Sequence, residues 1–125
     1  GNTYGAGFVT TGEEWILSAP AVTSGTGTIT SATSEVRYKL FGKVCFGEVV
    51  FTITTNGTGA TSINVPLPVL PKRNTAAQGR RNDSGFYNLV GQIGTGGALV
   101  VTKYDGTYPG ADGASLSVEF TYETA

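Results

Sequence analysis

Histidine and methionine are missing from this chain of 125 residues, cysteine and tryptophan occur once each, and only 14% of the residues are charged. Without histidine, the commonest general base for a serine or cysteine nucleophile is gone. A single cysteine rules out an intrachain disulfide. Cys45 lies among apolar neighbours, where a free thiol is expected to behave as an inert, small hydrophobe. The net charge of −1 and the pI near 5.3 remove any general attraction to nucleic acid or to an anionic membrane surface. No apolar run approaches the roughly 20 residues of a membrane-spanning helix, so no membrane insertion is expected. Nothing resembling a signal peptide opens the chain. With Gly1 first and no methionine, the reading expects one domain, 1–125, cut from a longer polypeptide.

What is present is glycine, threonine, serine and β-branched and aromatic residues in strand-like alternation. No window of a dozen residues shows the three-and-four spacing of a helix, and glycines interrupt every candidate. Low charge alone would suit a disordered chain, but the supply of Val, Ile, Phe and Tyr argues for a packed fold.

The spacing predicts a short strand over Glu14 to Ser18, then a Ser-Gly-Thr-Gly passage and a strand over Thr28 to Ser31. In the next segment Val36, Tyr38 and Leu40 alternate with Glu35, Arg37 and Lys39. A break at Phe41-Gly42-Lys43 follows. Cys45, Gly47, Val49, Phe51 and Ile53 then share one face, assigned to the core. Asn56-Gly57 predicts a type I′ hairpin, since both central positions need positive φ. Past it, Ile63, Val65 and Leu67 point one way, until Pro66, Pro68 and Pro71 end regular pairing. A polar connection over residues 72 to 85 is expected to include a short strand near Gln78 to Arg81. Tyr87, Leu89, Gly91 and Ile93 alternate next, followed by a strand from Ala98 to Tyr104. Last come Leu116, Val118, Phe120 and Tyr122 against Ser117, Glu119, Thr121 and Glu123, the cleanest alternation of all. Together these predict an all-β, jelly-roll-like antiparallel β-sandwich of about 7–9 strands, with a small β-barrel as the alternative.

The face opposite Cys45 carries Val44, Phe46, Glu48, Val50 and Thr52. It is too apolar to meet only water and is expected to be covered, either by the N-terminal arm or by another subunit. Trp15 and Leu17 share a strand face, which suggests a core or interface place for Trp15.

Two loops hold the candidate chemistry. Lys72, Arg73, Arg80 and Arg81 concentrate half the basic residues; they could grip an anionic glycan, a phosphorylated wall polymer or nucleic acid, but pairing with Asp83 and nearby acids is the favoured reading. The loop from Tyr104 to Gly113 combines Tyr104 and Tyr108 with Asp105 and Asp112. Ring faces can stack on a pyranose while carboxylates accept its hydroxyls, although Asp-Gly pairs are equally what tight turns demand. Asp105 and Asp112 fall short of the ~6–8 oxygens that calcium takes, so no metal site is expected. A glycosidase needs two carboxylates about 5 to 10 Å apart. Glu13, Glu14, Glu48 and Asp83 are available, yet sequence spacing brings no two of them together. No catalytic residue and no cofactor are expected.

The segment YKLFGKVCFGEVVFTITTNGTGATSINVPLP, from Tyr38 to Pro68, resembles small β-sandwich domains of bacteriophage tail appendages, the tail fibres and receptor-binding proteins. The likeness continues more weakly through YNLVGQIGTGGALVVTKYDG and the terminal VEFTYET. The resemblance implies a non-enzymatic virion module, assembled in the host bacterial cytoplasm as a homotrimer among other virion proteins, that recognises a host-surface saccharide. It favours Val44, Phe46 and Val50 as subunit interface and the loops carrying Tyr104, Asp105, Tyr108, Asp112, Arg80 and Arg81 as ligand site. Alternatives are a structural decoration or tail-tip module making only protein contacts, and a carbohydrate-binding module of a polysaccharide-degrading enzyme.

Overall fold

The computed structural model describes residues 15–83 and 87–125. The described residues form an all-β protein of nine antiparallel strands and no helix: β1 (Ile16–Ser18), β2 (Thr23–Thr26), β3 (Ser31–Phe41), β4 (Val44–Thr55), β5 (Ala60–Pro66), β6 (Thr75–Arg81), β7 (Asn88–Ile93), β8 (Ala98–Lys103) and β9 (Ser115–Glu123). All nine join one hydrogen-bonded sheet in the order β1-β3-β4-β9-β6-β7-β8-β5-β2.

That sheet has to curl. Laid flat, its outer strands would sit about 38 Å apart at the usual strand spacing. Yet β1 and β2, the two edges, are joined only by residues 19–22, which reach no further than about 18 Å. The link crosses the open seam: the Ser34 hydroxyl donates to the Pro20 carbonyl, and Val22 packs against the core. The result is a half-barrel whose walls, β1-β3-β4-β9 and β6-β7-β8-β5-β2, meet where β6 pairs with β9 through Gln78–Arg81. It stands between the expected sandwich and the alternative barrel.

The inner face is one buried cluster, drawn from the alternating positions of the sequence: Val49, Phe51, Ile53, Ile63, Val65, Leu99, Leu116 and Val118 are essentially inaccessible, with Cys45 among them. Small inward residues mark the tight bend between the walls. A Cβ on Gly79 would lie 2.0 Å from the Ser117 carbonyl oxygen, and one on Gly91 would lie 2.8 Å from Leu99 and 3.1 Å from Ala77. Glycine at such a corner lets adjacent backbones close in.

Three local expectations change. Of the strand placed over Thr28 to Ser31, residues 28–30 are a connection and Ser31 opens β3, while the Ser-Gly-Thr-Gly passage beside it supplies most of β2. Composition hid β2 because Thr23–Thr26 has no apolar face of its own; it is held by pairing with β5. The Asn56-Gly57 turn is real but not a hairpin, because β4 pairs with β3 and β9 and leaves no free edge for β5. Positive φ occurs at Gly57 alone, at 63°, and Asn56 does not share it. The turn is an arch between walls, and glycine is needed there for space as well: a Cβ would lie 2.3 Å from the Thr30 hydroxyl. Trp15 is not in the core, one of the two places expected for it; it sits on the outer face of β3 and β4 and is 39% exposed. The Phe41-Gly42-Lys43 break is the β3–β4 hairpin, with Gly42 at φ 55°. Glu13 and Glu14, along with Ser84 and Gly85 of the polar connection, lie outside the described residues.

Candidate functional site

Strand direction gathers four connections at one end of the half-barrel: residues 27–30, 56–59, the described parts of the β6–β7 link (82–83 and 87) and 104–114. The six residues favoured for the ligand site, Arg80, Arg81, Tyr104, Asp105, Tyr108 and Asp112, all fall at that end. Arg80 and Arg81 finish β6, whose neighbour β7 begins there, and Tyr104 and Asp105 leave β8, the next strand along. Two segments distant in sequence thus share one rim.

Their roles on the rim differ. Asn56 is its hub: the backbone N–H donates to the Asp112 carboxylate at 2.7 Å, its amide donates to the Gly59 carbonyl at 3.0 Å, and its side-chain oxygen accepts from the half-buried Tyr108 hydroxyl. Burial pushes the Tyr108 phenol above its ordinary pKa. Gly113 and Ala114 exchange backbone hydrogen bonds with Ile53, so the far part of the loop extends the β4 ladder. Tyr108 and Asp112 are therefore fasteners, and Asn56 is the residue that sequence reading misses, because an Asn-Gly pair signals turn chemistry and nothing more.

The other half of the rim is more open. Asp105 accepts from the Thr107 hydroxyl at 2.6 Å and from its N–H at 3.1 Å, which holds the carboxyl below the usual range. This Asx turn leaves the ring of Tyr104 67% exposed. Next to it the Lys103 ammonium lies 4.0 Å from the Tyr87 ring centroid, with the Arg81 guanidinium 5.9 Å from the same ring.

The basic cluster is mostly internally paired. Arg81 holds Asp83 through two bonds of 2.9 and 3.0 Å, and its side chain is only 12% exposed. Asp83 also accepts from the Ser115 N–H at 3.0 Å. The Arg81 bond first, and the Ser115 bond second, drive the Asp83 carboxyl far below its ordinary pKa. This ion pair seals the rim where β6 and β9 meet. Lys72 and Arg73 lie at the opposite end of the molecule and both face Glu123, at 3.8 and 3.5 Å. Arg80 donates to Asn82 at 3.0 Å on the outer surface.

Val44 and Val50, expected at an interface, are each 39% exposed on the outer face. Phe46 beside them is half-buried, with Phe41 stacked on it at 5.4 Å and Trp15 edge-on at 5.7 Å. Trp15, immediately before β1, thus covers part of this face. Leu17, Phe41 and Val44 remain exposed around the cluster.

The outer face also brings together carboxylates that spacing could not. Glu48 of β4 stands directly opposite Glu119 of β9, and Glu119 in turn faces Gln78 of β6. Among the described residues no group of three metal-ligating side chains occurs. Comparison with known proteins finds no matching family model, no similar curated protein and no similar solved structure.

Proposed function

We propose that the domain is a non-enzymatic recognition module that binds a host-surface saccharide from its loop-bearing end, as a receptor-binding part of a phage tail appendage. The observation that carries this reading is the convergence of chemistry-bearing residues on one rim: Arg80, Arg81, Tyr104, Asp105, Tyr108 and Asp112 come from separate segments and share a single end. There the exposed Tyr104 ring offers a stacking face, beside Lys103 and Asp105. The fasteners Tyr108 and Asp112 give the rim a fixed shape, and preorganised loops lose less entropy when a ligand binds. The sequence resemblance of Tyr38 to Pro68 supports the virion setting.

A homotrimer belongs to the same reading. Its support is the apolar outer cluster of Phe41, Val44 and Phe46 with Leu17, gathered on one sheet face rather than scattered singly. The same cluster favours the second reading, a structural virion module that makes protein contacts only.

Two measurements separate these readings. Screening the intact domain on an array of neutral and anionic bacterial oligosaccharides should give binding that falls at least tenfold in Tyr104→Ala. Light scattering should give three times the chain mass. A trimer that binds no saccharide supports the structural module, whereas a saccharide-binding monomer supports the isolated carbohydrate-binding module and removes the trimer.

A further inference from the structure

Across the outer face, at a single level, the strand registers align Arg37 with Glu48, Glu48 with Glu119, Glu119 with Gln78, and Gln78 with Val90. Directly opposed side chains on one face of a sheet lie about 5 Å apart, so these residues form a continuous rung from β3 to β7, about 19 Å long at normal strand spacing. Three adjoining recesses of about 290, 370 and 510 Å³ follow the rung, and Glu119 lines all three. The groove has an aromatic end at Trp15 and Phe46 and an amide-rich end at Gln78 and Asn88.

We propose that this groove is a second saccharide subsite, which holds a neutral oligosaccharide chain lying across the strands. The inference rests on the recognition reading above and extends it from the rim to the sheet face. Three features argue for it. Like charges directly opposite each other weaken a sheet, yet Glu48 and Glu119 occupy such a pair, and neither makes an ion pair among the described residues. Arg37, the cation next to Glu48 in the rung, lies 5.2 Å from the Trp15 ring centroid and so stiffens the aromatic end. Finally, the groove mixes both signs along its length, Arg37, Lys39 and Arg80 with Glu48 and Glu119, so it presents no single-sign field to a strongly ionic ligand. A chain of hydroxyl-rich rings suits this lining: vicinal hydroxyls donate to the two carboxylates, ring and hydroxyl oxygens accept from Gln78 and Asn88, and an apolar ring face packs on whatever Trp15 surface Arg37, Lys39 and Phe46 leave open.

The test uses the intact domain, the oligosaccharide array and calorimetric titration of its strongest neutral hit. Glu119→Gln and Gln78→Ala should each weaken binding at least tenfold, and should do so again in a Tyr104→Ala background. Glu119→Gln should at the same time melt no lower than the parent, since it relieves the like-charge pair; a residue kept for folding alone would not separate the two readouts. Parent-like binding by both face variants, with loss only in Tyr104→Ala, overturns the groove and leaves the rim standing. Loss in the face variants with none in Tyr104→Ala sustains the groove and sinks the rim. No binding to any sugar overturns both, and preferential binding of an arginine-rich peptide replaces the saccharide with a cationic protein partner.

Discussion

Replacing Asn56 with alanine tests whether one side chain fastens the recognition loop. The change removes the amide bond to the Gly59 carbonyl and the acceptor of the Tyr108 hydroxyl, while the backbone bond from residue 56 to Asp112 survives. A net hydrogen bond contributes about 1 kcal/mol, and leaving a half-buried hydroxyl without its acceptor adds part of a further 1–3 kcal/mol. The expected loss is about 2 kcal/mol, or about 8 °C in melting temperature at roughly 4 °C per kcal/mol for a domain of this size. Tyr108→Phe should cost less, about 1 kcal/mol, because Asn56 at the rim can bond water instead. The decisive quantity is the cycle. Once Asn56 is gone, removing the Tyr108 hydroxyl should cost almost nothing, so the double variant falls short of the summed single losses by about 1 kcal/mol. Urea unfolding followed by circular dichroism measures all four proteins. Additive losses, or an Asn56→Ala variant within about 0.5 kcal/mol of the parent, would refute the hub argument.

Further expectations concern the ion pair, the core and the bend. Asp83 titrates well below its unfolded value near 3.9, so the unfolded chain binds more protons in the acid window; the stabilisation is complete above about pH 4 and drains as pH falls further. Urea midpoints from pH 2 to 5 should flatten in Asp83→Asn, and an unchanged acid slope would remove the pair from the stability argument. At the alkaline end, burial first, and the Cys45 contact second, raise the Tyr122 phenol, whose bond goes to the Val69 carbonyl at 2.7 Å. Its stabilisation is present below about pH 10 and is lost as pH rises towards the folded value, so Tyr122→Phe should blunt alkaline unfolding. Cys45 is fully buried and its thiol is raised by desolvation; Ellman's reagent should therefore react only in denaturant, and rapid native reaction would contradict the packed interior. Gly79→Ala would press a methyl into the Ser117 carbonyl and Val118 backbone, with an expected cost of about 1–3 kcal/mol read as a lower urea midpoint.

Much of the fold was legible in period-two patterning. The inward residues of β4, β7 and β9 were read correctly because each strand buries one face and shows the other to solvent, and a register slip of one residue would invert every side chain. The pairing of Arg81 with Asp83 was also readable, since the two lie two residues apart and no fold is needed to bring them close.

Other features were not local, and so no segment spelled them out. Strand β2 has little apolar signal and exists through its partner β5, while Asn-Gly announces a turn without saying which strands flank it in space. The C-terminal strand β9 takes the edge of β4 that a hairpin would have used. It converts an expected hairpin into an arch and brings the remote Tyr104–Ala114 loop onto Asn56.

The linear order of residues was enough to decide that the described residues are helix-free, antiparallel, built on one apolar interior and equipped with polar connections, because each of those properties follows from neighbours in sequence and the pleat of a strand. Tertiary structure alone decided the strand order, the curl that brings the two sheet edges together, the rim on which Asn56, Tyr108 and Asp112 meet, and the opposition of Glu48 to Glu119. The reason is physical: pairing between strands far apart in sequence is chosen by competition for ladder edges and by the closing of a shared core, and that competition is settled only when the whole chain folds at once.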